Sequence, residues 1–128
     1  MITYQILEDD DIVVIEVKAA LSGEDFRELT AGVDAHLERS GMLQGILIHA
    51  PVFPGWSSLG AMASHFRFVR DHHRRIRKIA VASDSRLAEI APKLADHFVS
   101  AEVKGFGYGE MEDALAWLRE GGGRTASP

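Results

Sequence analysis

Short runs of β-branched residues alternate with segments of helical periodicity, and this alternation most constrains the fold. Residues 12–17, 45–50 and 79–82 are almost wholly apolar, which is typical of strands buried on both faces. Residues 3–7 and 102–106 predict two further strands. The element order is ββαβαβαβα, and strands alternating with helices predict a mostly parallel sheet covered by helices.

The N-terminal part predicts a hairpin followed by a capped helix. The acidic turn over 8–11 separates two strand-like runs, so the first two strands are expected to pair antiparallel. Ser22 is an N-cap candidate, and Asp25 stands three residues later, as in a capping box. Gly41 is expected to end this helix with a left-handed cap.

Three more segments have apolar residues at helical spacing. The first covers 59–69 and is expected to end in a basic stretch over 70–78, where cations suit the helix dipole. The second covers 87–98, and Pro92 is expected to kink or divide it. The last covers 111–118. About four helices are therefore expected around the sheet.

Composition narrows the class of protein. The 128 residues suit one domain, which we place at 1–120 with a flexible Gly-rich tail over 121–128. Cysteine is absent, which excludes disulfides and thiolate chemistry. The net charge of -5 argues against general nucleic-acid binding. No signal peptide and no apolar run of about 18 residues is visible, so we expect a cytoplasmic protein without stable membrane insertion.

Several local sequence pieces, in this order and spacing, carry a family resemblance over about residues 1–120. They are 53–56 (FPGW), 66–68 (FRF), 77–81 (RKIAV), 100–106 (SAEVKGF) and 112–118 (EDALAWL). Together they resemble the SpoIIAA-like family, which belongs with the STAS domains and is related in shape to CRAL-TRIO lipid carriers. The resemblance implies a mixed, mostly parallel α/β sheet with an N-terminal antiparallel hairpin. It also implies a small cytoplasmic regulatory module rather than an enzyme.

The resemblance also implies a phosphorylation candidate. In phosphorylatable STAS regulators, a serine at the start of the helix after the third strand accepts phosphate from a partner kinase. The matching positions here are Ser57 and Ser58. Those regulators usually carry an aspartate just before that serine, and this chain has Gly55 and Trp56 there instead.

The loop over 51–58 is the strongest candidate for a ligand site. It follows a central strand, where open α/β sheets place their ligands, and it leads into a helix N-terminus. A small apolar or amphipathic molecule would be lined by Phe53, Trp56, Leu59 and Met62, with polar contacts from His49, Ser57 and Ser58. The alternative is that the aromatic residues only pack the helix onto the sheet and that Ser57 or Ser58 is an N-cap.

Catalytic, metal and cofactor patterns are weak. The six histidines form no HExxH motif, and we predict no metal site. A hydrolase using Ser57 or Ser58, His49 and Asp84 is a weaker alternative, because the GxSxG motif is missing. The phosphate-binding patterns GxxxxGK[ST] and GxGxxG are also missing, so no cofactor is predicted.

The sequence leaves open the role of the basic cluster over 67–78. An acidic partner, anionic headgroups or RNA could bind it, but a solvated helix end is the simpler interpretation. A protein partner is possible, as is a homodimer through an edge strand or through the helix face over 66–68.

Overall fold

The computed structural model describes residues 2–51, 58–84 and 101–120. The predicted helix over 87–98, its Pro92 and the tail over 121–128 lie outside these ranges. The described elements are β1 (Ile2–Leu7), β2 (Ile12–Val17), α1 (Gly23–Ser40), β3 (Leu43–His49), α2 (Leu59–His72), a 3-10 helix (His73–Arg75), β4 (Ile76–Ser83), β5 (Glu102–Gly107) and α3 (Met111–Arg119).

The five described strands form one mixed sheet in the order β1-β2-β3-β4-β5. β1 pairs with β2 antiparallel, and the pairs β2–β3, β3–β4 and β4–β5 are parallel. The predicted fold class is therefore confirmed, including the N-terminal hairpin. Three α-helices are described where about four were expected, because the helix over 87–98 falls outside the described residues.

The sheet has an apolar core on each face. Val13 and Ile15 of β2 face the layer that contains α1 and α2, whereas Ile12 and Val14 face the layer that contains α3. This division follows from the period of two along a strand. Gly45 lets α3 approach closely, because a Cβ atom there would lie 2.6 Å from Leu118 Cδ2.

The caps of α1 agree with the sequence. Asp25 N donates to Ser22 Oγ at 3.1 Å, and Ser22 N donates to Asp25 Oδ2 at 2.9 Å, which completes a capping box. Gly41 ends the helix at φ 81°, and its N–H donates to Leu37 O at 2.8 Å. Ile2 N also donates to Asp25 Oδ1 at 3.3 Å, so the same carboxylate ties the helix start to β1.

The acidic turn between β1 and β2 makes specific contacts with two helices. Three of its four carboxylates are paired, in the contacts Glu8–Arg39 at 2.8 Å, Asp11–His36 at 2.8 Å and Asp10–Arg119 at 3.0 Å. The first two contacts reach α1 and the third reaches α3. The turn thus links the hairpin to both layers.

The basic stretch over 70–78 does not form the end of the second helix throughout, as the sequence predicted. α2 ends at His72, and Arg77 and Lys78 belong to β4 rather than to a helix terminus. Ile76 and Ile79 are β-branched and buried, and they pair with β3 in the sheet, which favours a strand here. Lys78 instead donates to Trp117 O at 2.8 Å, with its Nζ 4.6 Å from the Trp117 ring centroid.

Candidate functional site

The carboxyl ends of β2, β3, β4 and β5 meet at one edge of the sheet because these strands are parallel. Glu16 lies opposite His49 in the register, and Ser83 lies opposite Gly107. The loop after β3 begins at the same edge. Open α/β sheets bind ligands outside the carboxyl ends of their strands. We call this region the carboxyl edge.

His49 is held from three sides at the carboxyl edge. Its Nδ1 lies 2.6 and 2.7 Å from the two carboxylate oxygens of Glu16, and its Nε2 lies 2.9 Å from Tyr108 O. The ring also stacks on the Tyr108 ring, with centroids 4.2 Å apart and an interplanar angle of 11°. The imidazole thus connects β2, β3 and the turn between β5 and α3.

The partners of His49 determine its chemistry. A carboxylate and a carbonyl oxygen only accept hydrogen bonds, so both contacts form together only when both ring nitrogens carry protons. An imidazolium has no lone pair and cannot act as a general base. Together these contacts make His49 a clasp between β2, β3 and the turn after β5, and no hydrogen bond joins it to Ser58 in the described part of the chain.

Ser58 caps the second helix. Ala61 N donates to Ser58 Oγ at 3.1 Å, and the Ser58 residue is exposed. This contact is the N-cap role that the sequence left open for Ser57 or Ser58. Ser58 therefore presents its hydroxyl to solvent at the N-terminus of a 14-residue helix.

The first residue of the loop is fixed to β4. Ser83 Oγ donates to Pro51 O at 3.1 Å, and Asp84 N donates to the same oxygen at 3.0 Å. Among the other predicted ligand residues, Leu59 and Met62 lie in α2, although their side chains are outside the described part. Phe53, Trp56 and Ser57 lie wholly outside the described residues.

A groove between α1 and α2 lies apart from the carboxyl edge. It encloses about 330 Å³ and is lined by Phe26, Arg27, Thr30, Ala31, Ser64, Arg67, Phe68, Asp71 and His72. Beneath it, His72 Nε2 lies 2.7 Å from Asp34 Oδ1 and His72 Nδ1 lies 2.8 Å from Phe68 O. These two contacts fix the orientation of the buried His72 ring.

His65 has the opposite environment in the same helix pair. Its ring stacks on Phe26, with centroids 5.0 Å apart. Burial lowers the pKa of His65 from its ordinary value, because desolvation penalises the charged ring. The α1–α2 interface thus contains one histidine that burial disfavours as a cation and one that hydrogen-bonds to Asp34.

The comparisons with known proteins agree with this architecture. The family model described as SpoIIAA-like matches residues 12–119. The chain belongs to the SpoIIAA-like family. A similar solved structure is that of an uncharacterized protein of the DUF3478 family with a SpoIIAA-like fold from Shewanella loihica PV-4. It is 24% identical, with 92% of each chain covered and a TM-score of 0.69. No curated protein matches the sequence.

Family membership confirms the resemblance seen in the sequence and leaves the site residues as predictions. Within the described ranges of this SpoIIAA-like domain, no three His, Asp or Glu side chains gather as ligands for a metal ion. None of the described helices is long and apolar enough to span a membrane.

The groove could not be predicted from the sequence because it depends on how two helix faces meet. Its polar members lie at helical spacing on each helix, as Arg27 and Thr30 do on α1 and Arg67 and Asp71 do on α2. That spacing shows only that each helix has a polar stripe. The contacts between α1 and α2 bring the two stripes together.

Proposed function

We propose that this SpoIIAA-like domain is a non-catalytic regulatory module that binds a small apolar or amphipathic molecule at the carboxyl edge. The observation that carries the proposal is the convergence of four parallel strand ends on the edge that holds His49, Ser58 and the start of the loop. The predicted apolar lining is Phe53, Trp56, Leu59 and Met62, with Ser57 as a further polar contact. Such a mixture of apolar walls and few polar groups suits a small-molecule site.

The contacts at the edge favour binding over catalysis. Both ring nitrogens of His49 contact Glu16 or Tyr108, and Ser58 Oγ accepts the Ala61 amide. A serine hydrolase needs a neutral histidine within hydrogen-bond reach of the serine hydroxyl. These two side chains serve other partners, which supports a regulatory role.

Mass spectrometry of gently purified protein, native and denatured, tests the ligand. We expect extra mass in the native spectrum alone, which also gives the ligand's mass. Trp56→Ala should remove that extra mass, whereas Tyr4→Ala should retain it, because exposed Tyr4 lies on the edge strand β1, two strands from β3. A bare chain in both spectra, or equal loss in both variants, contradicts the proposal.

A phospho-switch is the second candidate function, and the exposed position of Ser58 at the N-terminus of α2 favours it. A phosphate there would be stabilised by the helix dipole while it changed the surface that a partner protein contacts. The expected result is one phosphoryl group that survives denaturation and maps to Ser57 or Ser58. Its loss in the double variant S57A/S58A, with Ser40→Ala as the control, would support the switch. Phosphate-free protein isolated from its native cells would contradict it.

A further inference from the structure

We propose that the groove between α1 and α2 is a second binding site, for a small molecule with an apolar body and one carboxylate or phosphate. The proposal stands on the contacts of the two helices and is independent of the ligand site at the carboxyl edge. Its three parts are an aromatic floor, a pair of uncommitted guanidinium groups and a volume that limits the ligand.

The floor of the groove is aromatic and firmly placed. Phe26 and Phe68 are 6% and 8% exposed, with ring centroids 6.5 Å apart. Phe68 also stacks on His72 at 4.3 Å, and the hydrogen bonds of His72 to Asp34 and Phe68 O fix that ring. Rigid, buried aromatic rings favour a flat apolar group, because little side-chain entropy is lost when it binds.

The charges at the groove leave a positive excess. Arg70 donates to Asp71 Oδ1 at 2.9 Å, and this hydrogen bond is the main reason that the pKa of Asp71 is lowered. The Asp34 carboxylate is hydrogen-bonded to His72. Within the described part of the chain, neither Arg27 nor Arg67 donates a hydrogen bond to a carboxylate. Arg67 does interact electrostatically with Asp71, although no hydrogen bond joins these two described residues. Guanidinium groups bind carboxylates and phosphates through paired hydrogen bonds, so the N–H donors of both arginines remain for an anion.

Arg27 also borders an opening beside Ser64. A Cβ atom placed on Gly23 would lie 3.6 Å from Arg27 Nη1 and 3.7 Å from Ser64 Oγ. The guanidinium and the hydroxyl of these two lining residues therefore lie close enough to contact one methyl-sized group beside Gly23. A guanidinium and a hydroxyl are both hydrogen-bond donors, which suits an anionic head group.

The volume selects a small molecule over a macromolecular segment. The groove encloses about 330 Å³, near the lower end of the range of about 300–1,000 Å³ for ligand pockets. An aryl carboxylate or aryl phosphate fits this volume, and its aromatic ring and anionic group match the aromatic floor and the two arginines.

Titration of ¹⁵N-labelled protein with 2-naphthoate tests the proposal, and amide shifts locate the site. We expect saturable shifts in α1 and α2 and about tenfold weaker binding in Arg27→Gln and in Arg67→Gln. The matched control is Arg77→Gln, which removes the same charge from an exposed position on β4 and should leave the affinity unchanged. Ala31→Phe, which fills the groove from an exposed position without a charge change, should also abolish binding.

Two further probes separate the parts of the proposal. 2-Naphthamide lacks the charge and should bind at least fivefold more weakly. 2-Naphthyl phosphate compares the two anions, and saturable binding of either anion in the groove supports the proposal. Absence of saturable shifts with both anions, equal weakening in Arg77→Gln, or equal affinity for 2-naphthamide overturns it. Shifts confined to residues 49–51 and 58–59 also overturn it and would favour the site at the carboxyl edge instead.

Discussion

The Glu16 carboxylate holds the His49 ring through both of its oxygens, at 2.6 and 2.7 Å from Nδ1. This pair lies across β2 and β3, and the other ring nitrogen reaches Tyr108 O in the turn after β5. The carboxylate therefore fixes the orientation of the ring that contacts Tyr108 O. One side-chain pair thus couples the central strands to an exposed turn at the carboxyl edge.

Glu16→Gln should release the turn that follows β5. Without the carboxylate, the ring loses the charged partner that orients it, and its contact with Tyr108 O weakens. We expect a loss of about 1 kcal/mol in the free energy of unfolding and faster amide exchange at 107–110. Urea denaturation and hydrogen exchange measure the two effects. The control is Glu102→Gln on β5, which is exposed; a similar change in both variants would contradict the clasp.

Gly45→Ala should destabilise the layer that holds α3. The new Cβ atom would lie 2.6 Å from Leu118 Cδ2 and 3.2 Å from Leu118 Cβ, and Leu118 is fully buried. We expect a loss of about 1–3 kcal/mol, the usual cost of overpacking a core. Gly32→Ala is the comparison, because its clash is with half-exposed Tyr4, which can turn toward solvent.

A double-mutant cycle checks the cause of that loss. In the background of Leu118→Ala, the Gly45→Ala change should cost much less, since its nearest neighbour is gone. Equal costs in the two backgrounds would mean that strand propensity, rather than contact with α3, explains the effect.

Asp25→Ala should lower stability by about 1–2 kcal/mol at neutral pH. Burial raises the pKa of Asp25, but hydrogen bonds from Ser22 N and Ile2 N outweigh burial and lower it below its ordinary value. The stabilisation is present above the unfolded-state pKa and is lost as the pH falls through the lower folded value. The difference from Glu24→Ala, in the same helical turn, should therefore shrink in acid; a constant difference in urea titrations would oppose this account.

The contacts that could be predicted from the sequence are those whose partners are near along the chain. Ser22 and Asp25 are three residues apart, so the capping box follows from a local pattern. The sheet type followed from the alternation of strands and helices and the hairpin from the acidic turn over 8–11, and the family resemblance implied the same fold. Asp34 and His72 are 38 residues apart, and nothing in either helix specifies that they meet. The predicted helix end over 70–78 was wrong for Arg77 and Lys78. Their charge suits a helix end, but Lys78 pairs with Gly45 and Glu102 in the sheet, so both residues belong to β4.

His65 should make the protein less stable as the pH falls from about 8 to about 5. Burial lowers its pKa in the folded state, so the unfolded chain takes up a proton more readily. The stabilisation of the neutral ring is thus present above the ordinary pKa and is lost as the pH falls below it. His65→Phe keeps a ring on Phe26 and removes the titration. The difference in free energy of unfolding between the two proteins, measured by urea denaturation across this range, isolates His65 because the other titrating groups are common to both. We expect the native protein to lose stability relative to His65→Phe in acid. A difference that does not change with pH would show that His65 is not desolvated by α1.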